Sequence, residues 1–554
     1  MSGEVDKRFD LDVYRTMDER VEMVSFPDCP PHILDIVIDH DVDQNVLEAV
    51  YFREDLTDEQ RTRVRSRLTK SPEDLEFAMR DRMTQTTDNA YKVFCTIPWN
   101  HISTNADGSV RMCCQMIQGD IEPIYGTLMK QDGTAYTGKD NPSEYRNHPD
   151  LKRIRAEMLQ GKDPAICKLC TDEEANGIGS RRRGTNKRYP GLFKKAKELT
   201  LKDGTILETD FPLSFLDLRF GNKCNLKCRS CGPTDSDLWY EDFYKMAELQ
   251  SAPKTFMYRK HEEMEVVQRE DGTYDVEGII DWYNGSKLWD YIVNNLKTID
   301  RYYFTGGEPT INLKHRELLQ LIIDQGLASS VNLEYNTNMA GIPSKVFEQW
   351  KHFRAVNIGM SIDGIYEHFE YIRSPGKWSV AERNMRRIDT EAGFDRVYAS
   401  IACTVSIYNV LHVLDMMWWY AEQNWTRLEK WISVRNLYGP HHLNIQNLPA
   451  EAKQYVDRRY KQFINSMHSR WHAEDDAHWK RKTEQQLHGI LRHMWAEESN
   501  PEHLIRFKTW TQQMDTVRKE KLTDACPEIA ELITRSIDAQ GRKRSAELIQ
   551  AGKK

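Results

Sequence analysis

Along the middle of the chain, short runs of alternating apolar and polar side chains recur, each followed by a loop and then by a segment of helical character. Phe215-Leu-Asp-Leu-Arg-Phe220 is the first of these runs. Gly221 and Asn222 break it, and Trp239, Phe243 and Met246 then mark a helix from Ser236 to Leu249. Asp300–Phe304, Ser330–Tyr335, Ala355–Met360 and Val397–Val405 predict further strands, and Trp431–Arg435 a sixth; Asn409 opens a helix rich in Met and Trp. Strands separated in this way by helices predict an α/β fold with a parallel sheet, whose loops at the strand C-terminal ends converge on ligands.

The flanks read differently. Leu34-Asp-Ile-Val-Ile38 predicts a strand, Thr57-Asp-Glu-Gln60 a capping box for a helix through Leu68, and Ser71-Pro a second helix toward Met83. Asp107-Gly108 lies between alternating runs and predicts a hairpin, which would bring Cys95 and Cys113 to neighbouring strand positions. A helix from Asp150 to Gln160 stops at Gly161, and another is predicted from Glu173 to Arg183. Asp271-Gly272 marks a second hairpin. Beyond Pro449 the chain is charged and helical, with Tyr455, Tyr460 and Phe463 at helical spacing, and the residues after Arg535 read as a frayed tail. The expected division is a helical appendage over 1–90, a cysteine-bearing module with its linker over 91–200, the α/β unit over 211–450 with an insertion at 251–284, and a helical extension over 451–554.

At 554 residues the chain exceeds one ordinary core. Its 77 basic and 85 acidic residues leave a net charge of -8, so no large positive field for nucleic acid is implied. No apolar run reaches membrane-spanning length and the first residues lack a signal-peptide core, from which a soluble, cytoplasmic protein is expected. In that compartment, eleven cysteines are read as metal ligands where they cluster, not as a disulfide framework.

Two clusters stand out. Cys224, Cys228 and Cys231 fall in the loop after the first run, and three thiolates on an iron-sulfur cluster leave one iron open to a substrate or cofactor. Cys95, Cys113, Cys167 and Cys170 make a complete four-thiol set, for a second cluster or for structural zinc. Cys114 can substitute for Cys113, and His101 is either a further ligand or a packing residue. Thr305-Gly-Gly-Glu308-Pro309-Thr310 follows directly on the strand Asp300–Phe304, and its two glycines allow close approach of backbone to a ligand.

Cys224-Asn-Leu-Lys-Cys228-Arg-Ser-Cys231 resembles the C-x3-C-x2-C signature of the radical S-adenosylmethionine (radical SAM) enzymes. The resemblance implies a partial (β/α)6 TIM-like barrel over 211–450 and a four-iron, four-sulfur cluster on the three thiolates. The open iron would chelate S-adenosylmethionine, whose reductive cleavage gives a 5'-deoxyadenosyl radical that abstracts hydrogen from substrate. It further implies that Gly306, Gly307, Glu308 and Pro309 contact the methionyl amino group, and that Ser361, Asp363 and Arg373 serve the ribose and carboxylate. Asn338 stands in a segment similar to the family's TNG, with Met339 in place of its glycine. Cys95-x12-Gly108-x4-Cys113 with Cys167 and Cys170 resembles the auxiliary cluster motif of twitch and SPASM domains, placed here before the barrel rather than after it. Implied partners are a peptide, protein side chain or polar metabolite as substrate and an electron donor such as flavodoxin or ferredoxin. A non-catalytic iron-sulfur or zinc protein, acting as redox sensor or partner, is the competing class. Cys29, Cys114, Cys403 and Cys526 are left to structural roles.

Overall fold

The computed structural model describes residues 31–40, 47, 50–51, 53, 55–68, 88–113, 127–175, 180–259, 262–276, 281–391, 393–429, 432–470 and 477–535. Its first part is helical: α1 (Pro31–His40), α2 (Asp58–Arg67), α3 (Asn89–Val93) and α4 (Ile97–Asn100). The hairpin β1 (His101–Thr104) and β2 (Val110–Arg111) follows, then α5 (Pro142–Arg146), α6 (Pro149–Leu159), α7 (Lys168–Ala175), α8 (Arg181–Arg188) and α9 (Leu192–Leu199). Next come β3 (Phe215–Leu218), α10 (Trp239–Gln250), an antiparallel trio β4 (Thr255–Arg259), β5 (Glu262–Gln268) and β6 (Tyr274–Val276), and α11 (Lys287–Asn294). The remaining α/β units are β7 (Arg301–Phe304), α12 (Leu313–Asp324), β8 (Asn332–Thr337), α13 (Ser344–Trp350), β9 (Ala355–Ser361), α14 (Tyr366–Ile372), α15 (Trp378–Thr390), β10 (Val397–Val405), α16 (His412–Ala421) and β11 (Ser433–Asn436). Four helices close the described chain: α17 (Ala450–Arg470), α18 (Ala477–Trp495), α19 (Pro501–Arg518) and α20 (Leu522–Ala525).

The large sheet has eight strands in the order β11-β10-β9-β8-β7-β3-β1-β2, with every pair parallel except the β1–β2 hairpin. From β3 to β11 the spatial order is the chain order. Right-handed crossovers that never reverse direction place all connecting helices on one face of such a sheet. Burial agrees with this. One row of alternate residues, including Tyr302, Phe304, Leu333, Tyr335, Val356, Ile358 and Met360, is buried, and it packs beneath Leu318, Phe347 and Trp350 of α12 and α13. The other row holds Asp217, Tyr303, Glu334, Asn336, Asn357, Ser361 and Tyr398, and is polar.

Helix α8 lies against that polar face. The Arg181 guanidinium sits over the rings of Phe215 and Tyr303, 5.3 and 5.1 Å from their centroids, and Arg188 pairs with Glu334 at 3.0 Å. The hairpin is part of the same sheet, because β1 pairs with β3 in the register His101 to Phe215 and Ser103 to Asp217. No helix among the described residues is long and apolar enough to cross a membrane.

Four local expectations are corrected. Leu34–Ile38 lies in helix α1: Ile33, Leu34, Val37 and Ile38 are the buried residues, a helical stripe on which the short alternation is accidental. The predicted helix over Glu173–Arg183 is two, since α7 ends at Ala175 and Ser180 caps α8 by accepting from the Arg183 N–H. Asn409 does not open a helix, because its side chain binds the Ser406 N–H and the Asp363 carbonyl, and α16 starts at His412. Cys95 and Cys113 are not strand residues: Cys95 lies between α3 and α4, and Cys113 lies just past β2. The capping box at Thr57 and Gln60, the Asp107-Gly108 hairpin and the strand Val397–Val405 form as read. The helix expected after Ser71, the tail after Arg535, Cys29 and Cys114 lie outside the described residues.

Candidate functional site

β3 ends at Leu218, and the chain turns through Gly221 and Asn222 into the cysteine loop. The start of α10 braces this loop from below. Asp237 accepts from the Cys224 N–H at 3.0 Å, Ser236 donates to the Leu226 carbonyl at 2.6 Å, and the Trp239 indole donates to the Cys228 carbonyl at 3.0 Å. The segment after β9 holds its other side, where the Lys227 and Arg229 N–H groups donate to the carbonyls of Ser374 and Ile372 at 2.7 and 2.8 Å. Each thiol is within electrostatic reach of the other two. In the hydrogen-bonded pair Cys228 and Cys231, Cys228 is the thiol held low, by its bond to Cys231 and then by Arg373 and Arg518, whereas Cys231 is driven up. Burial raises Cys224.

The glycine pair comes from the end of β7. Gly306 and Gly307 have φ of 73° and 51°, and a Cβ on Gly307 would stand 2.4 Å from the Lys223 carbonyl oxygen. Only glycine permits both the dihedral and the approach. The Glu308 N–H then donates to the same carbonyl at 2.9 Å, joining the two loops. Glu308 itself is turned inward. Its carboxylate accepts from the Thr310 N–H and hydroxyl, the Thr337 hydroxyl and the Asn338 N–H, at 3.1, 2.6, 2.9 and 2.8 Å. Pro309 begins the 3-10 turn behind it.

The end of β8 supplies Asn338, which donates to the Asn225 side chain at 2.8 Å and lies 4.0 Å from the Cys224 sulfur. Met339 takes φ 60°, a left-handed backbone in a buried methionine. From β9 come Ser361, half-buried on the polar face, and Asp363, whose carboxylate pairs with Arg373 at 2.6 Å and accepts from the Thr404 N–H at 2.8 Å. Arg373 also lies 3.8 Å from the Cys228 sulfur, and among the described residues its buried Nε–H has no hydrogen-bond partner. The structure therefore gathers the cysteine loop, the glycine pair, Asn338, Asp363 and Arg373 at one end of the sheet. The donor set suits an iron-sulfur cluster. The two glycines and the orphaned Arg373 donor suit a polar ligand beside it.

The other four cysteines meet elsewhere. Cys95, Cys113, Cys167 and Cys170 line a single cleft of about 390 Å³, counted to its open mouth, with Ile97, Met112, Met158, Ile166, Arg181 and Arg182. Burial raises Cys95 to about 11 and also raises Cys167 and Cys170. Arg182, buried in the wall, bridges Asp163 and Glu174 at 3.0 and 2.8 Å. His101 is not in the lining. It is buried against Phe215, its Nδ1 is 3.0 Å from the Met112 carbonyl oxygen, and burial lowers its basicity to about 4. Cys403 and Cys526 are buried in the core. Among the described residues, no group of three His, Cys, Asp or Glu side chains is placed to hold a single metal ion.

No pattern in the sequence marks Arg181 and Arg182, which line the second cleft, or Asp515 and Arg518, which reach the cysteine loop from nearly three hundred residues downstream.

No family model matches the chain, and no curated protein matches it. Solved structures with some likeness include native anSMEcpe with bound AdoMet, at 18% identity over 47% of this chain and 60% of that one, with a TM-score of 0.26. SuiB of Streptococcus suis bound to S-adenosylmethionine matches at 13% identity over 57% of this chain and 64% of that one, with a TM-score of 0.29. SuiB bound to its precursor peptide SuiA matches at 12% over the same shares, with a TM-score of 0.27. The chain spans about three-fifths of the length of the solved chains it matches.

Proposed function

We propose that the protein is a radical SAM enzyme, with an open (β/α)6 barrel formed by β3 and β7 to β11 and an auxiliary cluster module ahead of it. The observation that carries this reading is the joining of two motifs far apart in sequence. The cysteine loop and the glycine pair lie together, with Gly307 against the Lys223 carbonyl and Arg373 against Cys228.

Cys224, Cys228 and Cys231 would hold the cluster, and S-adenosylmethionine would lie across Gly306, Gly307, Ser361 and Arg373. A cluster held by these three thiolates and reduced by an external donor would supply one-electron cleavage of the sulfonium to methionine and a 5'-deoxyadenosyl radical able to take a hydrogen atom from substrate. The chain's own groups position and shield. Arg373, held by Asp363, offers its free Nε–H to a carboxylate. Glu308, with three of its four donors on Oε1 and one on Oε2, braces the glycine loop beside the position proposed for the methionyl amino group. Helix α8 lies over the polar sheet face, where a substrate would be kept from water.

Cys95, Cys113, Cys167 and Cys170 would hold the auxiliary cluster. Four thiols set round one cleft form a donor set for a body of several metal atoms, and with every ligand position filled by cysteine it would pass electrons rather than bind substrate. The substrate we expect is a peptide, a protein side chain or a polar metabolite, and the electron donor a flavodoxin or ferredoxin. After anaerobic reconstitution and reduction, the wild-type protein should form 5'-deoxyadenosine from S-adenosylmethionine and Cys228→Ala should not. Equal product from the variant would overturn the assignment.

A further inference from the structure

The cysteine loop is held from a third direction, by a segment nearly three hundred residues downstream. Arg229, between Cys228 and Cys231, is wholly buried and reaches into the C-terminal helices: its Nη2 donates to Asp515 at 2.6 Å and to Glu520 at 2.7 Å, and its guanidinium lies 3.5 Å from the Tyr371 ring centroid. Asp515 is fixed in turn by the Tyr371 hydroxyl at 2.8 Å and the Leu522 N–H at 2.8 Å. A second arginine runs the opposite way. Arg518 of α19 donates to Asp242 at 2.6 Å and to the Lys227 carbonyl, inside the cysteine loop, at 2.7 Å. Lys227 binds the other oxygen of Asp242 at 2.7 Å. The Arg518 guanidinium also lies 5.0 Å from the ring of Trp239, which stacks on Trp510 of α19 and donates to the Cys228 carbonyl.

Two buried arginines thus interlock, one given by the loop and one received by it. Helix α19 alone could be docked with apolar contacts, as Trp239, Met246 and Met514 already do. Buried ion pairs add little stability over such contacts. Their value is directional, since a planar fork with fixed partners sets the position of what it holds. Here the thing held is the backbone on either side of Cys228.

We propose that α19 is part of the cage of the cysteine loop, with Arg518 and Asp515 as positioning residues that fix the direction of the Cys228 and Cys231 sulfurs. The inference rests on the reading that these thiols hold a cluster. Partners that orient a metal's ligands are commonly worth tenfold to a hundredfold in metal affinity or activity.

The test uses the full chain, reconstituted without oxygen and reduced, with three readouts: bound iron, thermal midpoint, and the S-adenosylmethionine concentration that half-converts the electron paramagnetic resonance signal. Gln513→Ala, which loses only a solvent-exposed hydrogen bond from Gln250 of α10, is the control. Arg518→Met should fold and keep most of its iron, and should raise the half-converting concentration at least about tenfold. Arg518→Lys, keeping charge but losing the fork, should fall between. If Arg518→Met does not fold, Asp515→Asn decides, because it conserves shape and removes only the charge; the same rise is expected. A response equal to that of Gln513→Ala in whichever variants fold would overturn the proposal and leave the enzyme reading intact. Iron content and signal unchanged in Cys228→Ala would bring down both.

Discussion

Glu308 accepts four hydrogen bonds in full burial, and this makes it a clasp between the ends of β7 and β8. Burial pushes its carboxyl above the ordinary 4.5, against the pull of its donors. The folded protein therefore keeps this proton to higher pH than the unfolded chain. Its contribution to stability is greatest below 4.5 and declines as pH rises through the raised value. Glu308→Gln does not titrate, and its amide would meet a donor in the same shell. We expect it to lose about 1–3 kcal/mol near pH 5 in urea unfolding, with the wild type's advantage shrinking as pH rises through that window. An advantage that grows with pH would contradict the assignment. The identity of Glu308 as a special residue was legible from Gly-Gly-Glu-Pro, but the direction of its side chain was not, because Thr337 and Asn338 arrive from another strand. The positive φ of Gly307 was legible from the glycine pair, whereas its approach to the Lys223 carbonyl was not. Gly307→Ala would force a Cβ against the Lys223 carbonyl, and we expect cleavage of S-adenosylmethionine to fall more than tenfold, measured as 5'-deoxyadenosine.

At the scale of elements, alternation located all six α/β strands to within two residues, since one face packs under helices while the other stays polar. It failed at α1, where five apolar residues in six can satisfy either period and only the length of the helix decides. Met339 shows a motif departing in residue type while the backbone keeps the glycine dihedral. Its side chain is wholly buried, so Met339→Gly relieves strain of about 1–3 kcal/mol but gives up packing of about 2–5 kcal/mol. A net loss of stability in thermal unfolding is the expected outcome, and stabilisation would show that the packing contributes little. Around the second cleft, Arg182 ties α7 to α8 through Glu174. Arg182→Ala leaves two acidic groups facing a thiol-lined wall, and we expect about 3–5 kcal/mol of destabilisation of this region, read by hydrogen exchange of α7 and α8.

Across the whole molecule, the cysteine spacings predict two groups of thiols, and Cys224, Cys228 and Cys231 lie near one another while the other four line a separate cleft. What spacing could not show is how the sites are joined. The hairpin that brings Cys113 to the cleft is also the neighbour of β3 in the main sheet, and Arg181 lines the cleft while resting on Phe215 and Tyr303 of the polar face. Pairing between β1 and β3 is a contact across more than a hundred residues, and short strands of ordinary composition carry no label for their partner. If each thiol group holds a cluster as proposed, Cys167→Ser with Cys170→Ser should remove about half of the bound iron, whereas unchanged iron would mean that the cleft holds zinc or nothing.

The most direct measurement of the central claim is 5'-deoxyadenosine formed from S-adenosylmethionine by the reduced, iron-loaded protein, with Cys228→Ala beside it. Product is expected from the wild type and none from the variant. A wild type that binds iron at Cys224, Cys228 and Cys231 yet yields no product with any reductant would contradict it, and would make the site that of a redox sensor or binding partner.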